Sequence, residues 1–269
     1  MSLTPQNVKL AFFLGGLALF FAVETIVATR PWRSPRGNRL ALHAGLAVFN
    51  TVLINLTMAG PLAWLALTVG ERGWGLSPLL GLGGVAEILA SVVVLDLFDY
   101  VWHRANHQSR FLWRFHSVHH VDTHLDVTTS LRFHPGELLL SGGAKALWIL
   151  IWGPSIWAFA IFEIMVSLSA QYHHSNIDFP DRVEAAVRVL NVTPRMHVAH
   201  HSALTKSLDA NFSTVFSVWD RLFGSYMPPS PEHLVEQGLR YGRDRDLDPA
   251  FVLTMPFRRQ AAARSEPAN

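Results

Sequence analysis

The sequence predicts an all-α fold, a multi-spanning membrane bundle with a polar helical cap, on three observations. Half of the 269 residues are hydrophobic and only 16% are charged, against about 25% charged in a typical soluble chain. Uncharged apolar runs recur at lengths able to cross a hydrocarbon core, which takes roughly 20 helical residues. No stretch shows the alternation of period two that a half-buried strand requires. The mean hydropathy of +0.23 agrees with a lipid setting. The formal charge of +2 gives no reason to expect a nucleic-acid partner. There is no cysteine, which excludes disulfides, thiol nucleophiles and Cys-ligated zinc or iron–sulfur clusters.

The first expected span runs from Leu10 to Ala28, interrupted only by Glu24. No small-x-small cleavage site closes it, so it reads as a retained helix and not a secretory signal. Arg30 to Arg39 carries four arginines, two prolines and a glycine, a basic loop that the positive-inside rule puts in the cytoplasm. Leu40 to Gly70 has no Asp, Glu, Lys or Arg. It reads as a helix to about residue 59, a break at Gly60-Pro61, and an interfacial or tilted piece. A third span is expected over Leu79 to Leu95, so that Asp96 onward emerges on the cytoplasmic side. Leu138 to Ala170 is apolar again, broken at Gly153-Pro154; it is either a tight transmembrane pair or a re-entrant hairpin. The expected organisation is therefore N-terminal transmembrane helices over 1–95, a second unit over 96–227 including the 138–170 hairpin, and a polar C-terminal tail over 228–269. The part of that tail beyond Arg258 is expected to be frayed. Glu24, Glu87 and Lys145 lie within apolar segments but near expected helix ends or breaks, where snorkelling is cheap. The nine tryptophans read as interfacial belt and core.

Of fourteen histidines only His43, in the second span, and His233, in an expected surface loop, stand apart. The other twelve fall in three polar stretches on one face of the membrane. His103 and His107 have H-x3-H spacing, which on a helix turns both rings to one side. Asp99, one turn earlier, could hold the ring N–H of His103. His116, His119 and His120 form an H-x2-H-H box, and His197, His200 and His201 form another. Clustered imidazoles imply a metal to ligate, and eight of them exceed what one ion takes, so two ions are the natural count. Imidazole suits iron, zinc, copper and nickel alike.

The ordered trio of boxes resembles the fatty acid hydroxylase/sterol desaturase superfamily of integral-membrane di-iron oxygenases. Arg132-Phe-His-Pro-Gly-Glu137, His174-Ser-Asn-Ile177, Thr193-Pro-Arg-Met-His197, Asn211-Phe and Trp219-Asp-Arg-Leu-Phe-Gly224 are similar to the family as well. The likeness covers roughly Asp96 to Gly224. It implies two iron ions held by the eight box histidines, with His174 as a ninth ligand and His173 as its competitor. It further implies O2 as co-substrate, a cytosolic active site and attack on a C–H bond of a lipid. His134, Glu137, Asn176 and Asn211 would then support the ligands or position substrate. Asp220 would tie its turn to a neighbouring arginine. Electrons would come from a separate protein or reductant: a ferredoxin, a cytochrome or a pterin. The absence of a retrieval signal favours a bacterial inner membrane.

Two other readings compete. A membrane zinc hydrolase also clusters histidine, but its H-E-x-x-H motif is absent. A divalent-metal transporter would place its ligands near the bilayer midplane, whereas these boxes lie outside the expected spans.

Overall fold

The apolar runs are helical in the computed structural model, which describes residues 4–258. Among those residues the chain is all-α, with two isolated β-bridges and no strand. The expectation for the tail after Arg258 lies outside the described residues.

Helix α1 (Pro5–Val27) starts at Thr4, whose hydroxyl accepts the Asn7 N–H. Helix α2 (Arg36–Ile54) runs through a five-residue π turn (Asn55–Ala59) directly into α3 (Gly60–Arg72). The expected break at Gly60-Pro61 is therefore absent. Pro61 falls in the first turn of α3, where its missing N–H costs little, and the π turn absorbs the irregularity. A short turn, α4 (Leu76–Leu79), precedes α5 (Gly84–Gln108). This last helix does not stop at Leu95. It continues for three more turns and carries His103 and His107, so the expected boundary at 95/96 falls inside one rigid element.

Helix α6 (Arg110–His120) and a 3-10 turn (Val127–Leu131) lead to α7 (Pro135–Trp152) and α8 (Ile156–His174), the two arms of the expected hairpin. The cap is completed by α9 (Asp181–Val187), α10 (Pro194–His200), α11 (Thr205–Leu208), α12 (Val218–Leu222), α13 (Pro231–Val235) and α14 (Pro249–Thr254). The expected polar tail is partly core. Phe251, Val252 and Met255 are buried with Trp113 and Val118 of α6, because the segment from α13 to Phe257 folds back over the cap. A second apolar core lies between α3, α5, α7 and α8, around Val69, Leu95, Trp148, Ile149 and Phe162.

Two stretches, Pro5–Val27 and Arg36–Leu79, are long and apolar enough to cross a membrane. Both turn large apolar side chains outward, as Leu19, Ile26, Phe49 and Leu56 show. Glu24 and Glu87 do not snorkel. Glu24 is fully buried, accepting the Val127 and Asn176 N–H groups and pairing with Arg36. Glu87 accepts from Ser91 and from the backbone and hydroxyl of Ser155, tying α5 to the start of α8. Each carboxylate thus closes a helix junction.

A buried ion network joins α2 to the cap. Arg39 donates to Asp122 at 2.6 and 3.0 Å and to Asp126 at 2.7 Å. Arg132 donates to the Val118 and Asp246 carbonyls and meets Nε2 of His43. Burial by itself would raise the Asp122 carboxyl, but Arg39 and Arg132 hold it well below the usual carboxylate range. Leaving Arg39 buried without its bidentate partner should therefore cost about 3–5 kcal/mol. Asp122→Asn should lower the unfolding temperature in detergent and weaken metal retention together.

The turn between α7 and α8 fits glycine alone. Gly153 has φ +71°, and a Cβ there would stand 2.0 Å from the Trp74 carbonyl oxygen; Gly75 faces it with φ +103°. Gly153→Ala should destabilise the protein by about 2 kcal/mol or more, through left-handed strain plus the displaced contact. An unchanged melting temperature in detergent would contradict this packing.

Candidate metal centre

The polar stretches converge because four helices end at one level. The C-terminal halves of α5 and α6, the last turn of α8 and all of α10 turn their histidines to a common interior. Two groups of ring nitrogens result, each with its members within 4.8 Å of one another. The first is His103, His107, His116, His120 and His200; the second is His119, His174, His197 and His201. They adjoin, with His120 stacked on His201 at 4.2 Å between ring centres.

Helical geometry explains the division. At 100° per residue, positions four apart differ by about 40°, while the third position of an H-x2-H-H box lies about 60° to the other side. His116 and His120 therefore face one group and His119 the other. On α10 the same spacing sends His197 and His201 to the second group and His200 to the first. Each H-x2-H-H box spans both groups, whereas the H-x3-H pair serves the first alone.

The outward ring nitrogens are held by acceptors. Nδ1 of His103 meets the Phe212 carbonyl at 2.7 Å, His200 the Ala210 carbonyl at 2.6 Å, His119 the Arg132 carbonyl at 3.2 Å and His174 the Ala170 carbonyl at 2.7 Å. Nδ1 of His116 meets Glu137 at 2.7 Å. A carbonyl can only accept, so these rings carry their proton on Nδ1 and present a bare Nε2 inward. The consequence is clearest for His119 and His174. Their Nε2 atoms lie 3.0 Å apart with no proton between them. Two lone pairs at that distance repel unless a cation sits between or beside them. Buried nitrogens without partners at His120, His200 and His201 add to the same demand. The donor set, all imidazole, fits a first-row transition metal.

Burial, reinforced by neighbouring imidazoles, keeps the rings neutral: His174 is lowered to about 4 and His200 to about 3, and His197 and His201 lie well below the usual value.

The other expected site residues separate. Glu137 reaches the site through His116. Asp99 does not hold His103; Phe212 does, and Asp99 bonds Thr214 instead. His134 lies outside both groups: its Nδ1 caps α7 by accepting the Gly136 N–H and its Nε2 meets the Leu253 carbonyl. The side chain of Asn176 bonds the backbone of Arg30, joining the ends of α1 and α8. Asn211 adopts φ 58° and holds the backbone of Met196 and Met227. It acts on the site indirectly, because its neighbours Ala210 and Phe212 supply two of the carbonyls. Asp220 grips the Phe212 and Ser213 N–H groups, not an arginine, and Asp96 similarly holds Val215, Phe216 and the Trp219 indole. His173 lies outside both groups, against the backbone of Thr214 and tilted against His197 at 3.9 Å between ring centres. His43 is buried in the ion network, and His233 caps α13 with Ser230 in place of the expected loop.

Several contributors had no sequence signal. The backbone carbonyls are invisible to residue type. Trp113, assigned to belt or core, walls the first group at 5.0 Å from His107 and 5.4 Å from His120. Phe133 stacks flat on His119 at 4.8 Å.

The lowered histidines set a pH dependence. Unfolded histidines titrate near 6.5, so below that the unfolded chain takes up protons that the folded chain refuses, and stability falls with pH. The chelator-treated protein should keep a constant melting temperature from pH 8 to 7. It should lose stability from about pH 6.5 down toward about 4, the folded value for His174. A flat profile over that range would contradict neutral, buried rings.

Comparison with known proteins agrees with the arrangement. Residues 88–225 match the fatty acid hydroxylase family model. Similar proteins include ornithine lipid hydroxylase OlsE of Rhizobium tropici, 26% identical over 54% of this chain and 43% of the relative. Alkylglycerol monooxygenase of Danio rerio is 29% identical over 51% of this chain and 29% of the relative. Sphinganine C4-monooxygenase 1 of Arabidopsis thaliana is 32% identical over 56% and 58%. The chain thus spans less than two thirds of the length of these relatives. No solved structure matches. The matched segment holds all nine grouped histidines and makes up just over half of the sequence, and the chain belongs to the fatty acid hydroxylase family.

Proposed function

We propose that this chain is a multi-pass membrane oxygenase that uses O2 and two iron ions to hydroxylate or desaturate a C–H bond of a lipid. The observation that carries the reading is the pair of bare nitrogens on His119 and His174, 3.0 Å apart and buried. The named relatives, which are lipid hydroxylases and monooxygenases, support the choice of substrate and oxidant. His103, His107, His116, His120 and His200 would hold one iron and His119, His174, His197 and His201 the other. Bound iron would supply activation of O2 and removal of hydrogen from an unactivated carbon.

The protein's own part is orientation and exclusion of water. Four backbone carbonyls and Glu137 fix the ring tautomers, which keeps Nε2 available without a proton to displace. Trp113, Phe133 and Phe212 wall the rings with apolar surface. Hydroxylation consumes two electrons and two protons for each O2, with one oxygen entering the lipid and the other leaving as water. An external electron donor follows from that balance. The four arginines from Arg30 to Arg39, at the junction of α1 and α2, support a cytosolic cap, reached by the donor from water and by the lipid through the bundle.

Lipid-stimulated O2 uptake by the iron-loaded, reduced protein tests the reading; stoichiometric zinc that iron cannot replace, with no O2 uptake, would overturn it in favour of a hydrolase. His174→Ala should abolish uptake and lower bound metal, whereas His173→Ala should keep the metal. Glu137→Gln should weaken metal binding about 10- to 100-fold, the usual effect of losing a carboxylate behind a ligating histidine.

A further inference from the structure

Three of the five rings in the first group face one short loop. The Ala210 carbonyl meets Nδ1 of His200 at 2.6 Å, and the Phe212 carbonyl meets Nδ1 of His103 at 2.7 Å. Asp209, the residue before them, brings its carboxylate to 4.0 Å from Nδ1 of His107. The loop begins where α11 ends and is locked downstream, because Asp220 grips the Phe212 and Ser213 N–H groups and Asn211 takes φ 58°.

His107 and Asp209 share a cavity of about 80 Å³ in the cap, with Trp113 and Leu208 in its wall and the exposed Leu204 and Arg240 at its rim. The side chain of Asp209 is 53% exposed and that of His107 only 1%. The cavity thus sets a half-exposed carboxylate against a buried ring of the group.

A carboxylate differs from a carbonyl as an outward partner because it carries a full charge. Behind an imidazole it raises the basicity of the opposite nitrogen, and a metal bound there polarises the Nδ1–H toward the carboxylate in return. Glu137 backs His116 in this way at 2.7 Å. With Asp209 behind His107, the first group has two charged supports. In the second group the outward partners of His119 and His174 are the carbonyls of Arg132 and Ala170. The first group also offers five rings against four.

We propose that Asp209 is a positioning residue for the first metal position, accepting from Nδ1 of His107, and that its charge together with that of Glu137 makes this position the tighter of the two. This rests on the metal reading of the histidines and goes beyond it by ranking the two positions. Iron added in increments fills the group of His103, His107, His116, His120 and His200 before that of His119, His174, His197 and His201. Asp209 is half-exposed, so its replacement leaves neither a buried charge nor a void.

Anaerobic titration of ferrous iron into the chelator-treated, full-length protein, against a competing chelator, tests the ranking. The unaltered protein should bind two ions in separate steps. Asp209→Asn should weaken the tighter site about 10- to 100-fold and leave the other unchanged, and Asp209→Glu should recover most of the loss. In His119→Ala, which spares the first group, the remaining site should show the same weakening. In His107→Ala, Asp209→Asn should change nothing further, because the ring through which the carboxylate acts is gone. A merely structural role in the loop predicts instead that Asp209→Asn lowers metal retention by a similar factor with or without His107. That result, or two steps indifferent to Asp209→Asn, would overturn the inference. Lipid-stimulated O2 uptake on the same preparations separates it from the oxygenase reading. The stepwise iron pattern without uptake would leave the role of Asp209 standing and the oxygenase reading fallen, and uptake with iron binding indifferent to Asp209 would do the reverse.

Discussion

The structure turns on how nine clustered imidazoles are held with bare nitrogens facing inward. Each outward Nδ1–H that meets a fixed acceptor removes the proton's alternative position, and the inward lone pair is then committed. Desolvation favours this arrangement, since a charged imidazolium in the same interior would be far more costly. The unfavourable part is the mutual repulsion of those lone pairs, which a bound cation converts into attraction. Binding energy for metal is therefore folding energy for the cap.

The acceptors must be as rigid as the ligands. Ala210 and Phe212 lie in a loop, but Asp220 and Asp96 grip its N–H groups from both sides, and Asn211 takes the left-handed conformation between them. Arg132 supplies a carbonyl to His119 while its guanidinium is fixed by Val118, Asp246 and His43. The Arg39–Asp122–Asp126 cluster then secures this corner to α2, so a long apolar helix and a histidine-facing loop share one buried electrostatic joint. Such joints are strongly destabilised when one partner is lost.

The histidine boxes were legible because turning two rings to one side of a helix leaves an i, i+4 spacing that survives without any knowledge of the fold. The allocation of His119 and His200 across two groups was equally implicit in 100° per residue, though it needed the second helix to become visible. Glu137 and His134, three residues apart in one motif, show the limit. One reaches a ligand and the other caps a helix, and residue type does not tell them apart. Asn176 and Asn211 serve backbone groups, and the pairing of Arg39 with Asp122 links positions 83 residues apart. The expected break at Gly60-Pro61 failed because a π turn can accommodate proline at a helix start, an option that a rule based on proline alone does not contain.

The central claim is that the nine rings make two adjacent cation positions. Titration of the chelator-treated, full-length protein with ferrous iron under anaerobic conditions, followed by bound-metal analysis, tests it most directly. Saturation at about two ions per chain, reduced to about one or fewer in His119→Ala, is the expected result for two groups sharing α6 and α10. Saturation at a single ion, or binding unchanged by loss of His119, would contradict it.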